Sequence, residues 1–418
     1  MARAEFFYVG DENTEDVHEY EPGGYHPVLL GDVLPKDSAI QEPRYRVMQK
    51  LGSGSFATVW LARDIVGSLG YVALKIGISR VHGINNENRI LRWLQDTADE
   101  QSSVGSQAVI GLLDDFVIQG PNGTHDCTVT EVLGTMRDFR TTPAFSANRK
   151  DISLQLLQGV SYLHEKEVAH ADLHLDNLGV SLPQLQDRSE GEIMDHFANP
   201  ECAAVIARDP RKPTHHLPPY LVDSISIIEY LTETHALSND MPVRVKIMDF
   251  GNAFRNRVER PPPNTPIHIR APEISLCELS NTQVGGDWDH RVDIWATACT
   301  LYEMIRGIEM IYGVGGKSVI YEMVKLAGPL PPSWMAYWDV ESFENFRAKH
   351  DESAAGNPDG TWARSLNDLF PEEPRRRVLN SKQDTEQFID LLRKMLKIDP
   401  SDRPPIASLL DHPWFTNS

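Results

Sequence analysis

The spacing of hydrophobic and polar positions changes along the chain and separates a β-rich part from a helical part. From residue 44 to residue 134, short runs rich in Val, Tyr, Trp and Leu are divided by turns that contain Gly, which is typical of strands. The predicted strands lie in 44–52, 56–64, 71–77, 109–119 and 127–134. Among them, Ile90, Leu91 and Leu94 recur at helical spacing and predict one helix in 85–95.

The part that follows residue 134 has the period of helices. Apolar positions in 150–167 recur with that period and predict a helix that faces the core. These positions are Ile152, Leu156, Leu157, Val160 and Leu163. Similar stripes near 291–306, 317–326 and 384–396 predict further helices. We therefore expect an α+β fold with a small β-rich amino-terminal lobe that has one main helix, and a larger α-helical carboxy-terminal lobe.

Two segments interrupt this order. The first 43 residues are acidic and contain several Gly and Pro, which is typical of an extension and not of a domain. A stretch rich in Pro, Asp and Glu, at about 181–242, breaks the helical rhythm and is interpreted as an insertion. The expected organisation is an extension in 1–43, a first lobe in 44–134, and a second lobe in 135–418 that contains the insertion.

Composition limits the partners and the compartment. The 418 residues carry a formal net charge of −20, which disfavours direct binding to nucleic acid or to an anionic membrane. No apolar run approaches the roughly 20 residues that span a bilayer, and the chain turns acidic too early for a signal peptide. Four cysteines without metal-site spacing indicate reduced thiols. We expect a monomer in the cytoplasm or the nucleus.

The first candidate site lies among the predicted strands. Gly52 and Gly54 form a turn whose backbone amides could cradle phosphates, although a plain hairpin turn explains two glycines equally well. Lys75 lies on the third predicted strand, between apolar residues, where an ammonium group can hold phosphate oxygens. Glu87 shares the inward face of the predicted helix with Ile90, which makes it the carboxylate expected to steer Lys75.

The strongest chemical signal is HADLHLDN, residues 170–177, directly after the amphipathic helix. Its spacing allows Asp172 to orient the proton of an attacking hydroxyl, while Asn177 ligates a metal ion five residues later. Downstream, an apolar strand ends in Asp249 of an Asp-Phe-Gly sequence, where a carboxylate can bind Mg²⁺ between phosphates. Asp-Phe-Gly alone is a weak signal, but its order after the 170–177 match makes the joint signal strong.

These motifs together resemble the eukaryotic protein kinase superfamily over about residues 44 to 416. The matching residues, in chain order, are Gly52, Gly54, Lys75, Glu87, Asp172, Asn177, Asp249, Glu273, Asp293 and Arg403. Three of them have structural roles in this interpretation: Glu273 and Arg403 form a buried brace, and Asp293 caps the backbone of the 170–177 loop. The resemblance implies the bilobal protein kinase fold.

Three further features resemble the SR-protein kinases, which phosphorylate arginine/serine-rich splicing factors. They are GGYHPVLLGDVL before the first strand, TEVLG as the hinge with Thr130 as gatekeeper, and the insertion before DFGNA. The resemblance implies a serine/threonine kinase that uses ATP and Mg²⁺ on protein substrates, with Arg/Ser-rich proteins as candidates. The residues implied in nucleotide binding are Leu51, Gly52, Ser53, Gly54, Ser55, Val59, Ala73, Lys75, Glu87, Glu131 and Leu133. Lys75, Asp172 and His174 are the implied catalytic residues, with Asn177 and Asp249 on the metal.

The chain departs from the kinase pattern at five positions, and at one of them Pro266 replaces the activation-segment threonine. Ala57 replaces the third loop glycine, and Ala171 replaces the arginine that would answer a phosphorylated activation loop, so we expect activity without loop phosphorylation. His174 stands where serine/threonine kinases place lysine, and a neutral imidazole stabilises a transferring phosphoryl group less than an ammonium does. Gly179 replaces a bulky aliphatic residue under the adenine.

Two other readings stay open on the sequence. A degenerate kinase that acts as an ATP-binding scaffold agrees with His174, Ala57 and Gly179, but the intact acidic and metal-binding residues argue against it. A small-molecule phosphotransferase of the aminoglycoside or choline kinase type has a loop close to HADLHLDN. Such enzymes generally lack the Ala-Pro-Glu sequence and the late arginine that this chain contains.

Overall fold

The computed structural model describes most of the chain. The described residues are 6–7, 14–35, 42–84, 86–98, 104–207, 209, 211, 213–238, 241–255, 264–280, 288–313, 315–335, 379 and 381–416. Two compact units are present. The first unit comprises Met1–Thr97, Ile110–Ala144 and Gly179–Val243, and the second comprises Ala98–Val109, Phe145–Leu178 and Arg244–Ser418.

Most strands come early in the chain, and the last part of the chain is helical. The strands are β1 (Phe6–Phe7), β2 (Val33–Leu34), β3 (Tyr45–Gly54), β4 (Ala57–Asp64), β5 (Tyr71–Gly77), β6 (Leu112–Gly120), β7 (Gly123–Thr130), β8 (Leu133–Thr135), β9 (Val168–Ala169), β10 (Leu178–Ser181), β11 (Cys202–Ala204), β12 (Ile206–Ala207), β13 (Tyr220–Val222), β14 (Val245–Ile247) and β15 (Phe254–Arg255). The helices are α1 (Glu87–Asp96), α2 (Val104–Gln107), α3 (Met136–Phe139), α4 (Pro143–Glu165), α5 (Glu190–His196), α6 (Ile227–Glu233), α7 (Pro272–Leu279), α8 (Arg291–Arg306), α9 (Gly316–Ala327), α10 (Pro332–Met335), α11 (Lys382–Met395) and α12 (Pro413–Thr416).

A six-stranded antiparallel sheet, in the order β2-β3-β4-β5-β7-β6, forms the centre of the first unit. Side chains alternate between the two faces of a strand, so β5 sends Val72, Leu74 and Ile76 to one face and Ala73 and Lys75 to the other. The first three belong to the buried apolar cluster of the unit. The opposite face is therefore the one that can carry polar chemistry.

The extension and the insertion both pack into the first unit. Strand β2 of the extension pairs with β3, and β11 pairs with β13 within the insertion. Gln186 accepts a hydrogen bond from the amide of Tyr71 at 2.9 Å and donates one to its carbonyl at 2.7 Å. Glu190 of α5 forms an ion pair with Arg46. The segment identified as an insertion thus covers part of the sheet, while the domain bounds drawn from the sequence stay a prediction.

Helix α8 passes through the core of the second unit. Fourteen of its sixteen residues, Val292 to Ile305, are buried, and most of them are apolar. The helix ends at Gly307, whose φ of 75° is a left-handed conformation that glycine adopts without strain, and whose amide donates to the carbonyl of Glu303 at 2.7 Å. The helix predicted in 291–306 is confirmed.

The structure also bears on the membrane and on the cysteines. No helix in the part of the chain that the structure describes has the length and the apolar character needed to span a bilayer. The four cysteines are free thiols, three of them buried and Cys202 exposed.

Candidate active site

The glycine-rich segment is a tight hairpin between β3 and β4. Gly54 lies opposite Ala57, so the turn itself consists of Ser55 and Phe56. Ala57, at the position of a third loop glycine, lies in β4 and is buried. A Cβ atom added to Gly52 or Gly54 would meet no atom within 4 Å, so space beside the loop is left for a ligand.

The other residues of this segment border the same loop. Leu51 is half-buried at a β-bulge between Lys50 and Gly52, and the loop serines, Ser53 and Ser55, are exposed. Val59 of β4 is half-buried. It lies opposite Gly52 of β3 on one side and opposite Lys75 of β5 on the other. Because directly paired residues share a face, Val59 lies on the polar face of the sheet with Lys75.

Lys75 and Glu87 form the ion pair that the sequence predicts. The Lys75 Nζ atom lies 2.7 Å from Glu87 Oε2, and the side chains are 20% and 6% exposed. Glu87 is the first residue of α1, and Asn88 beside it accepts a hydrogen bond from Thr128 of β7 at 2.6 Å. The helix is thereby tied to the sheet next to the ammonium group. Ala73 lies two residues before Lys75 on the same face.

The predicted hinge connects β7 with β8. Thr130 pairs with Ala73, and Glu131 accepts a hydrogen bond from Ser181 through its side chain. Leu133 lies opposite Ser181 in the β8–β10 pair. The predicted binding of adenine by Glu131 and Leu133 stays a prediction.

The structure explains the glycine at position 179. Gly179 of β10 lies opposite Thr135 of β8. A Cβ atom at Gly179 would lie 2.8 Å from both Cβ and Cδ1 of Leu133. Such a contact is too close for two carbon atoms. Leu133 therefore occupies the space that a side chain at 179 would take.

In the second unit, Asp293 holds the backbone of the 170–177 loop. Its carboxylate accepts hydrogen bonds from the amides of His170 at 2.9 Å and Ala171 at 2.8 Å, and His164 Nε2 lies 3.1 Å away. Burial alone would raise the pKa of Asp293, but the contacts with His164 and the loop keep it below its usual value. Ala171 has a φ of 63°, a strained conformation for a residue with a Cβ atom. The predicted capping role of Asp293 matches these contacts.

Asp172 follows this strained residue. Asn252 Nδ2 donates to Asp172 Oδ2 at 2.9 Å, which fixes the orientation of the carboxylate. Oδ1 is buried, and among the residues that the structure describes no donor forms a hydrogen bond with it. Burial raises the pKa of Asp172, and the nearby charge of Asp249 acts in the same direction, whereas His174 and Asn252 oppose it. A carboxylate that is incompletely paired and raised in pKa is suited to receive a proton.

Asn177 and Asp249 are brought side by side through Met248. The amide of Met248 donates to the carbonyl of Asn177 at 3.0 Å, and His170 Nε2 donates to the carbonyl of Met248 at 3.0 Å. The side chain of Asn177 donates from Nδ2 to the carbonyl of Asp172 at 2.8 Å, so its amide oxygen is the atom it can offer to a cation. Asp249 has a φ of 62°, a left-handed conformation.

His174 lies near Asp172 without a close ion pair, since Nε2 and Oδ1 are 4.0 Å apart. Burial lowers the pKa of His174, which makes the imidazole neutral at pH 7. Thr265, next to the position where kinases place their activation-segment threonine, donates to the carbonyl of Ala171 at 2.6 Å. This hydrogen bond ties the activation segment to the backbone of the loop.

The predicted brace is present and fully buried. Arg403 donates to both carboxylate oxygens of Glu273 at 2.7 Å, and further to the carbonyls of Arg291, Lys397 and Ile398. The two side chains are 0% and 2% exposed. Every direction of the guanidinium is thus used to join the segments around α7 and α8 to the end of the chain.

Sequence reasoning missed two contributors to this site. Asn252 orients Asp172. The available signal in the sequence is an amide side chain directly after Asp-Phe-Gly. Tyr25, in the GGYHP sequence of the extension, contacts the glycine-rich loop, which spacing alone does not indicate.

Comparison with known proteins agrees with this geometry. The protein kinase domain family matches residues 235–415. The chain is 28% identical to the serine/threonine-protein kinase SRPK of Physarum polycephalum, over 99% of this chain and 93% of that protein. It is 26% identical to the protein kinase dsk1 of Schizosaccharomyces pombe, over 97% of this chain and 85% of that protein. To the human SRSF protein kinase 3 it is 37% identical, over 40% of this chain and 30% of that protein.

One solved structure shows the fold. The crystal structure of a kinase domain aligns with a TM-score of 0.56 at 18% identity, over 93% of this chain and 98% of that one. The predicted α+β bilobal kinase fold is confirmed. Protein kinases in general use ATP and Mg²⁺ and act on protein substrates. The chain is a serine/threonine protein kinase that resembles the SR-protein kinases.

Proposed function

We propose that this kinase transfers the γ-phosphoryl group of ATP to serine hydroxyls of Arg/Ser-rich proteins, with Asp172 receiving the proton of the attacking hydroxyl. The state of Asp172 carries the proposal. Asn252 orients one carboxylate oxygen, the other oxygen is buried, and burial raises the pKa of the group. An oriented carboxylate with a raised pKa can take up a proton as the new phosphate ester bond forms.

The oxygen ligands present suit Mg²⁺. Asn177 and Asp249 offer one amide oxygen and one carboxylate, which are the ligand types that this hard cation prefers. Within the described residues, no group of three His, Cys, Asp or Glu side chains could hold a metal ion. Mg²⁺ sites of the proposed kind use one or two protein ligands and are completed by phosphate oxygens and water. The bound cation would neutralise the charge of the phosphates.

The remaining predicted residues have binding and positioning roles in the proposal. Lys75, held by Glu87 at 2.7 Å, donates to phosphate oxygens, and the amides near Gly52 and Gly54 lie over them. The polar sheet face around Val59 and Ala73 contacts the base, together with the backbone of Glu131 and Leu133. Leu133, packed beside Gly179, takes the place of the missing bulky residue under the adenine.

The choice of Arg/Ser-rich substrates is supported by similarity and by charge. Two of the relatives named above are an SRPK and an SRSF kinase, and similarity to the first extends over 99% of this chain. The net charge of −20 favours encounter with basic peptides. The acidic segment 341–352, a candidate for contact with such peptides, lies outside the described residues.

Comparison of three substrates tests this proposal. With ATP and Mg²⁺, we expect phosphate transfer to an Arg-Ser repeat peptide to be at least about tenfold more efficient in kcat/KM than transfer to a generic basic peptide or to casein, because tenfold corresponds to one added contact of moderate strength. The Asp249→Ala variant, which lacks the metal carboxylate, serves as the negative control. Equal rates on all three substrates would contradict the Arg/Ser preference but not the kinase activity.

Two other outcomes would favour the alternative readings. ATP binding without transfer to any protein would favour an ATP-binding scaffold. Transfer to a small aminoglycoside or to choline, but not to peptides, would favour a small-molecule phosphotransferase. Mass spectrometry of the products separates these cases.

His174 gives a prediction for the chemical step. The His174→Lys variant is expected to have a kcat about tenfold higher at pH 7, since an ammonium group would add a positive charge where the buried imidazole is neutral. Single-turnover measurement of phosphate transfer checks this, with Lys75 left intact. An unchanged rate would show that the histidine does not limit turnover.

The proposed setting is a monomer in the cytoplasm or the nucleus, without direct nucleic-acid or membrane partners. The four free thiols agree with a reducing compartment. The net charge of −20 agrees with the absence of anionic partners.

A further inference from the structure

The amino-terminal extension contacts the glycine-rich loop directly. The hydroxyl of Tyr25 donates to the carbonyl of Gly54 at 2.7 Å, across 29 positions of sequence. The Tyr25 ring is 4% exposed and packs against Tyr20 in an apolar cluster that also includes Leu217 and Leu221 of the insertion. Burial raises the pKa of Tyr25, so the hydroxyl keeps its proton at neutral pH and remains a donor.

Tyr25 is itself held firmly. The side chain of Asn122, at the β6–β7 turn, donates to the carbonyl of Tyr25 at 2.7 Å and to the carbonyl of His216 at 2.9 Å. The preceding residues, Gly23 and Gly24, accept hydrogen bonds from the amides of residues 80 and 79 at 2.7 and 3.0 Å. The anchor of the tyrosine is thus built from the segment that follows β5 and from the β6–β7 turn.

The two glycines are required by this anchor. Gly23 has a φ of 94°, which lies outside the range of other residues. A Cβ atom at Gly24 would lie 1.7 Å from the carbonyl oxygen of Glu19. The two glycines of the GGY sequence therefore allow the backbone to come close enough for the tyrosine to reach the loop.

The loop at the other end of this contact has little packing of its own. Ser53 to Phe56 are exposed, and Phe56, at the tip, is 48% exposed. Besides the bond from Tyr25, the amide of Ile78 donates to the carbonyl of Phe56 at 2.9 Å. Each of these bonds restricts a segment that would otherwise have to lose conformational freedom when a nucleotide binds.

We propose that Tyr25 is a positioning residue for nucleotide binding, which holds the glycine-rich loop in its phosphate-binding conformation before ATP arrives. The inference rests on the proposed contact between this loop and the ATP phosphates. It assigns the extension a role in ATP affinity, and not in the chemical step that is assigned to Asp172.

The test compares Tyr25→Phe with Tyr71→Phe. Tyr71 is a matched control, since it is 1% exposed and its hydroxyl also donates to a backbone carbonyl, that of Arg188, at 2.9 Å. We expect Tyr25→Phe to raise both the Kd and the KM for ATP about three- to tenfold, the effect of one lost hydrogen bond, with little change in kcat. Amide exchange of Ser53–Phe56 is expected to become faster in the nucleotide-free protein.

Neither the loss of ATP affinity nor the faster amide exchange is expected in Tyr71→Phe. We expect the two variants to lower the melting temperature by similar amounts. Unchanged ATP affinity in Tyr25→Phe, or the same loss of affinity in both variants, would overturn the inference. Failure of the proposed function has a different signature: the wild-type protein itself would not bind ATP, while the exchange of Ser53–Phe56 would still respond to Tyr25→Phe.

Discussion

The Asp172→Asn variant is expected to transfer phosphate with a kcat lower by at least about a hundredfold, the usual contribution of a positioned general base. Asparagine has the shape of aspartate and can still accept the hydrogen bond from Asn252, so the loop should keep its conformation. The amide cannot take up the proton of the substrate hydroxyl, and that step is lost. Initial rates with ATP, Mg²⁺ and an Arg-Ser peptide measure the effect.

The same loop offers a matched control for this substitution. Asp176→Asn makes the same chemical change four residues away. The Asp176 side chain is 55% exposed, and its carboxylate lies 3.8 Å from the imidazole of His174. We expect this control to retain most of the wild-type rate. The Kd for ATP should stay unchanged in both variants. If Asp172→Asn kept more than about a tenth of the wild-type kcat, Asp172 would not be the base, and the expected range for base catalysis would be missed.

The regular elements could be predicted because their signals are local. The sequence predicts strand β5 in 71–77 and helix α8 in 291–306, and the structure has them at Tyr71–Gly77 and Arg291–Arg306. In both, the apolar positions that carry the signal lie within the element itself, and the turn residues that bound it lie next to it. The Lys75–Glu87 ion pair was also accessible, since the helix face fixes which carboxylate points inward.

Contacts between distant segments could not be predicted in this way. The packing of the insertion on the sheet, through Gln186 and Glu190, depends on where the chain returns in space, and polar residues in a Pro-rich stretch carry no signal for it. The close approach of Leu133 to Gly179 has the same origin. The sequence shows that position 179 lacks a bulky side chain, and only the structure shows that Leu133 lies next to it.

A second large effect is expected at the brace that joins Glu273 to Arg403. The Arg403→Leu variant should lose about 3–5 kcal/mol of unfolding free energy, the usual effect of removing one partner of a buried ion pair. Glu273 would be left buried and unpaired, and the carbonyls of Lys397 and Ile398 would lose their donor. Urea denaturation followed by tryptophan fluorescence measures the change, and Trp295, whose ring lies 5.5 Å from the guanidinium, reports on this region.

The size of this effect follows from burial and not from charge alone, and two further variants separate the two causes. Lys394→Leu removes a cation from an exposed pair with Asp390, whose side chains are 46% and 52% exposed, and it should change stability by less than about 1 kcal/mol. The double variant Arg403→Leu with Glu273→Leu should recover part of the loss, because it leaves no unpaired buried charge. Equal losses in the single and double variants would mean that packing around the arginine, and not the unpaired carboxylate, determines the stability of this part of the second unit.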